Sequence, residues 1–420
     1  MTEDLPQVVI VGAGFAGLQA ARSLAKAPVR VVLVDRRNYH LFQPLLYQVA
    51  TAGIAAEDIA YPVRAILRRQ RNLKFKMAEV TGIDRAARHV HTSGGELSYD
   101  YLIIAVGGMT NFFGLNSVEK FGYGLKDIED AVEVRNHILS MVEMAVQQND
   151  PDLRRAMLTF VVVGGGPTGV EMAGALSELV RLVLAKDYPT LNIKEVRILL
   201  LEASDRLLAG MPERLREITA KTLWNKQVEV RFGAQVSDYN GDRVALKSGE
   251  VIPARTLIWA AGVRAAGLVD KLGVKQGNLQ RVVVTPTLQL PDNPEIFVIG
   301  DAAHFSVDGQ PPLPMVASVA VQQANMAAIN IQRLLNQQQA ETFVFKNPGM
   351  LATIGRNAAV AQIGSWQVQG FVAWLLWIVI HIVRLIGFRN RVLVLVNWAW
   401  DYLLYERAVR LIMPNICRLH

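Results

Sequence analysis

Cysteine is nearly missing from this chain. The 420 residues contain one, Cys417, which excludes an intramolecular disulfide framework and a CxxC redox pair and fits a reducing compartment. No metal-ligand spacing is found, so metal chemistry is not expected. Aromatics are only 7% of the chain, and Lys and Arg do not alternate with them across a sheet or recognition helix. Nucleic acid is therefore not the expected partner, and the net charge of +7 points to anionic cofactors or anionic lipid. The opening MTEDLPQVVIVGAG carries acids and runs straight into a strand, unlike a signal peptide.

Apolar residues are abundant: 51% of the chain, with a mean hydropathy of +0.22. Against that background the stretch Phe160–Glu171, FVVVGGGPTGVE, organises the rest. Gly164-x-Gly166-x-x-Gly169 has the spacing of a turn from a buried strand into a helix that seats a pyrophosphate. The first glycine makes the turn, the second lets phosphate approach the backbone, and the third lets helix pack on strand. Free N–H groups and the positive helix end then face the anion. Glu171 follows one turn into the helix. Its carboxylate either serves the bound nucleotide or is a helix N-terminal acid favoured by the dipole.

The same pattern stands upstream. Val8–Val11 leads to Gly12-x-Gly14-x-x-Gly17, a helix-like stretch to Ala27, and the run Val29–Val34 ending at Asp35. Strand, glycine turn, helix, strand and terminal acid fill about 30 residues, as a βαβ dinucleotide unit does. Asp35 would accept hydrogen bonds from an adenosine ribose. In the second unit the matching strand Arg197–Leu201 ends at Glu202, farther away than the usual ~20 residues because of the insertion Arg181–Lys194. A carboxylate there would repel a 2′-phosphate and favour NADH over NADPH. Each half also closes on a strand with a small-residue end, Asp100–Gly108 and Leu257–Val263. This internal repeat is a stronger signal than either half alone. Between the halves, Gly124–Asn149 has helical period.

Farther on, Glu295–Ala303 reads as a strand followed by Gly300 and Asp301, an acid placed to bond a flavin ribityl chain. Pro311, Pro312 and Pro314 precede a helix from about Ala317, whose N-terminus would stabilise negative charge on a reduced flavin. Phe343–Gly364 reads as strands with turns. Phe371–Ile386 is an apolar run of 16 residues, about 24 Å as helix against a ~30 Å hydrocarbon core. It carries His381 and Arg384 on one face, and a second apolar run, Val392–Trp400, follows. From Arg384 onward there are six arginines and two acids, Asp401 and Glu406. An interfacial helix on anionic lipid fits better than a span. A buried helical pair or a dimer interface is the alternative.

Together, the paired fingerprints and Gly300-Asp301 resemble the two-dinucleotide-binding-domain flavoproteins. In detail the chain resembles the type II, non-proton-pumping NADH:quinone oxidoreductases, through GGGPTGVEMAGALSEL at 164–179, WAAGVRA at 259–265, ATIGRNAAVA at 352–361 and AWLLWIVIHIVRLIGFRNR at 373–391. The resemblance spans nearly the whole chain. It implies an α/β fold with two Rossmann-like domains and a C-terminal helical membrane-associating segment. The expected parts are an FAD domain over 1–123 and 281–345, an NADH domain over 124–280, and an anchoring and dimerisation region over 346–420.

By that resemblance FAD is held by Gly12, Gly14, Phe15, Ala16, Gly17, Asp35, Arg36, Gly107, Gly300, Asp301 and Ala317. NADH is held by Gly164, Gly166, Pro167, Thr168, Gly169, Glu171, Glu202 and Gly262. The nicotinamide would stack on the isoalloxazine and pass hydride to N5, with Glu171 positioning it or relaying a proton. Quinone would enter from the C-terminal side near Gln322. Two positions depart from the family pattern on that side. Ser318 stands where Ala-Gln-x-x-x-Gln has its first glutamine, and Pro348 stands where a lysine is frequent. The loop Arg36–Ile54, where disulfide-reductase relatives carry a cysteine pair, has none. Expected partners are NADH, a membrane quinone, the lipid surface at the cytoplasmic face of the cell membrane, and a second copy of the chain. A soluble reductase of an iron–sulfur protein and a flavin-bearing NADH sensor are the rival readings.

Overall fold

The computed structural model describes residues 5–307, 309–404 and 409–413. Cys417, Glu406 and Arg407 lie outside the described residues. The chain divides into two compact units. One comprises Met1–Leu41, Ala60–Met109 and Val263–Asn347, and the other Phe42–Ile59, Thr110–Gly262 and Pro348–His420.

The first unit is built on a six-stranded sheet. Its parallel part runs Leu73–Met77, Arg30–Asp35, Gln7–Val11, Tyr101–Ile104, Asn293–Val298, and the short strand Gln289–Leu290 adds an antiparallel edge. In register, Ile10 pairs with both Leu33 and Ile103. Val8, Val9 and Ile10 are fully buried, as a central parallel strand covered on both faces requires. The first strand is flanked by the second and fourth in chain order, which makes the doubly wound switch point where ligands bind beyond the strand ends. The helix Phe15–Ser23 starts at that point, and the helix Ala317–Leu335 packs along it. The helix from Phe15 is shorter than the expected run to Ala27, because a bend-rich turn over 24–29 leads into the second strand.

The second unit repeats the plan with four parallel strands in the order Val228–Arg231, Arg197–Leu201, Thr159–Val163, Thr256–Trp259. Its fingerprint helix is Pro167–Glu178, and the chain continues as a π-helical turn over Leu179–Leu184. The unit also holds a three-stranded antiparallel sheet, Met350–Gly355, Ala358–Ile363 and Trp366–Gln369, and the helices Gly370–Arg384 and Phe388–Leu404. These C-terminal helices do not form a body of their own. Asn390 donates to the carbonyls of Glu57 and Asp58 at 3.2 and 3.0 Å, Asn397 donates to the Asp58 carboxylate at 3.0 Å, and the Trp398 indole donates to Gln48 at 2.7 Å. That network fastens the tail to the segment 42–59. Among the described residues, no helix is long and apolar enough to cross a membrane.

Candidate active site

The two glycine turns have the same geometry, glycine by glycine. Gly12 and Gly164 have φ of +102° and +111°, which side chains rarely adopt. A Cβ on Gly17 would lie 1.7 Å from the Gly12 carbonyl oxygen, and one on Gly169 would lie 1.8 Å from that of Gly164. These third glycines therefore let each helix sit directly on its turn. At the middle glycines, Gly14 and Gly166, a Cβ would meet no described atom within 4 Å beyond the adjoining chain. Each turn thus leaves an open cradle in front of a helix N-terminus, with Pro167 and Thr168 exposed at the second. A pyrophosphate fits such a cradle.

The strand-end acids also match. Asp35 Oδ2 accepts the Ala13 N–H at 2.6 Å and Oδ1 accepts that of Arg37 at 2.8 Å. Glu202 Oε2 accepts the Gly165 N–H at 2.6 Å and Oε1 accepts that of Ser204 at 2.7 Å. Each carboxylate closes its glycine turn from below, and the longer connection before Glu202 leaves this clasp intact.

Around the first turn, Ala16 is buried, Arg36 is exposed, and the Phe15 ring stands edge-on to His40 at 5.1 Å. His40 Nδ1 donates to the Ala13 carbonyl at 3.0 Å, while its buried Nε2 has no partner among the described residues. Burial holds this imidazole below its ordinary pKa, so Nε2 is a buried acceptor beside the cradle. Gly107 and Gly300 both have φ of +70°, and a Cβ on the neighbouring Gly108 would come within 3.2 Å of Asp301 Oδ2. The Gly300 N–H donates to Gln323 at 2.7 Å. Ala317 and Ser318 are half-buried in the first turn of their helix. Gln322, the glutamine singled out from the sequence, instead exchanges both amide hydrogen bonds with the Lys346 backbone, at 2.9 and 3.0 Å. Sequence reasoning missed Gln323, although the buried stripe Ala320, Gln323, Ala324, Ala327, Ile331 follows helical spacing and places Gln323 inward. Pro348 is exposed, next to Gly349 with φ of +101°.

In the second unit, a Cβ on Gly262 would meet the Phe113 ring at 2.9 Å. Glu171 does not face solvent. Its Oε1 accepts the Thr353 N–H at 3.3 Å, and the Trp377 indole approaches it without reaching hydrogen-bond geometry. Burial raises its pKa to about 8, against the smaller opposing effect of those neighbours. The fingerprint helix reaches the C-terminal sheet at close range, for a Cβ on Gly174 would lie 2.3 Å from the Ile354 carbonyl oxygen. One turn on, Glu178 pairs with Lys226 at 2.7 Å and accepts the Arg356 N–H at 2.6 Å. Thr353 and Trp377 also line a cavity with Tyr47, Arg356, Trp398 and Tyr402, whose empty volume is about 800 Å³ with its open mouth included.

These features have counterparts in known proteins. Residues 6–324 match the pyridine nucleotide-disulphide oxidoreductase family model, and residues 348–405 match the NDH2 C-terminal domain. The type II NADH:quinone oxidoreductase Ndh of Mycobacterium tuberculosis is 39% identical over 419 aligned residues, covering 96% of this chain and 89% of that one. The chain belongs to the type II NADH:quinone oxidoreductase family. A further member, from Staphylococcus haemolyticus, is 30% identical and covers 88% of this chain and 92% of its own. The fold agrees with the structure of NDH2 from Plasmodium falciparum in complex with NADH, at a TM-score of 0.89 and 21% identity, with 97% of this chain and 100% of that one covered.

Proposed function

We propose that this protein oxidises NADH and reduces a membrane quinone to quinol without pumping protons. The observation that carries the reading is the pair of matching glycine cradles, each closed by a carboxylate, in a chain whose tail matches the NDH2 C-terminal domain. FAD, when bound, supplies the redox chemistry, taking a hydride and returning two electrons.

The protein's own residues bind and orient. The cradle at Gly12–Gly17 would hold the FAD pyrophosphate, with Asp35 at the adenosine ribose, Asp301 at the ribityl chain and Ala317 opening the helix that faces the flavin. The cradle at Gly164–Gly169 would hold NADH, with Glu202 at its ribose. The acid that fixes the second turn also stands where a 2′-phosphate would arrive, which favours NADH. Glu171 would hold a proton near neutral pH inside the protein. Its neighbours Thr353 and Trp377 line the cavity described above, a route by which that proton would be useful to an apolar acceptor. Gln322 and Ser318, on the helix from Ala317, would face the quinone side.

Exposed apolar residues support membrane attachment. Phe371, Leu375, Val379 and Val383 are spaced four apart on one helix, and Phe388, Val392, Leu395, Val396 and Trp400 follow on the next. Such stripes suit helices lying in an interface. Peripheral attachment at the cytoplasmic face of the cell membrane and assembly as a homodimer complete the proposal.

Anaerobic stopped-flow on detergent-solubilised protein tests it. Fast flavin bleaching by NADH, slow bleaching by NADPH and fast reoxidation by a short-chain quinone are expected. Fast reduction followed by sluggish reoxidation with quinone would overturn the acceptor.

A further inference from the structure

Arg281 is a buried cation with most of its donors unused among the described residues. It is 3% exposed, and Nη1 donates to the Leu313 carbonyl at 2.8 Å. Nε and Nη2 are buried and have no hydrogen-bond partner among the described residues. Leaving a charged donor buried and unsatisfied is among the costlier things a fold can do. Such a group calls for a partner that the described residues do not supply.

Its surroundings indicate which partner. Arg281 immediately precedes the strand Val282–Val283, which pairs with Ala303–His304 directly after the Gly300–Ala302 turn. Leu313 lies in the segment that leads into the helix from Ala317. Arg281 is therefore held between the Asp301 turn and the approach to that helix, the two segments assigned to the flavin. Burial lowers the pKa of Arg281, with Asp301 partly opposing it, and burial followed by the charge of Arg281 lowers that of His304. A guanidinium presents a planar fork of donors that matches phosphate oxygens bidentately. In FAD, the group next along the molecule from the ribityl chain is the pyrophosphate.

We propose that Arg281 is an anion ligand of the bound dinucleotide, with its free Nε and Nη2 donors taken by FAD pyrophosphate oxygens. The inference rests on the FAD assignment above. It adds a second source of positive charge to the N–H groups of the glycine cradle, contributed by a residue 264 positions after Gly17 in the same unit.

Phosphorus NMR of the FAD-bound protein tests this directly. In R281M the pyrophosphate signals of bound FAD shift, in R281K they move part of the way back, and FAD binds about 10- to 100-fold more weakly than in wild type. On heating R281M, flavin fluorescence rises before tryptophan emission reports unfolding, whereas the two coincide in wild type. If R281M does not accumulate, R281K carries the test, because lysine keeps the charge but offers a point donor. Phosphorus signals and FAD affinity equal to wild type would overturn the proposal. So would a lowered midpoint potential with unmoved phosphorus signals, which places the guanidinium at the reduced ring. Flavin release and unfolding that shift together would reduce Arg281 to a packing role. Wild-type protein that purifies without FAD would overturn the underlying reading as well.

Discussion

Glu202 Oε2 accepts the Gly165 N–H at 2.6 Å, and the same carboxylate's other oxygen holds the Ser204 N–H. The acid is part of the turn that it closes, so its removal loosens the nucleotide cradle and lifts a negative charge together. Glu202→Gln keeps an acceptor but removes the charge. The ratio of kcat/KM for NADPH to that for NADH is expected to rise about 10-fold or more, read by initial rates with each nucleotide. An unchanged ratio would show that Glu202 does not set nucleotide choice.

The glycines separate folding from binding. Gly14 has φ of −71° and open space in front of it, so Gly14→Ala is expected to fold normally and lose FAD. Gly17→Ala and Gly174→Ala drive a methyl into backbone oxygens at 1.7 and 2.3 Å, and each is expected to cost about 1–3 kcal/mol or more. Chemical unfolding and flavin content measured on all three variants decide this. Equal stability losses for Gly14→Ala and Gly17→Ala would contradict the assignment of roles.

Glu171 makes stability and rate depend on pH. Its folded pKa, about 8, lies above the ordinary value of 4.5. Between those values the folded state binds one more proton than the unfolded state, so stability falls as pH rises through that window. Glu171→Gln is expected to be more stable than wild type by on the order of a few kcal/mol at pH 9, with the difference vanishing below about pH 4.5. Quinone reduction by wild type should decline above about pH 8, while the variant is slower and flat. Parallel pH profiles for the two proteins would remove Glu171 from both roles.

The exposed stripe on the helix Gly370–Arg384 should carry membrane binding. Leu375 and Val379 are both about half exposed, so replacing them with Glu removes little packing. Each lost apolar contact with lipid is worth about 1.5–3 kcal/mol, and Leu375→Glu with Val379→Glu should abolish flotation with anionic vesicles while soluble NADH oxidation persists. Retention on vesicles would locate the attachment elsewhere.

Local spacing alone made much of this legible. The first glycine must take a positive φ, the third must touch the turn, and an acid ending the next strand must lie beneath it. Those are short-range consequences of chain geometry, so Gly12, Gly17, Asp35 and their counterparts could be read before any fold was known. The helix beginning at Ala317 and the amphipathic tail were readable for the same reason, through their period. Contacts between distant segments were not readable. Thr353 meets Glu171 across 182 positions, Gln323 rather than Gln322 bonds Gly300, and Arg281 is buried beside the Asp301 turn. No local rule specifies which segment will cover a given side chain, and a shift of one residue on a helix turns it by about 100°. The sequence therefore determined the two cradles and their acids, and only tertiary packing decided that Glu171 would be dry, that the tail would lock onto residues 42–59, and that a buried arginine would be left with donors to spare.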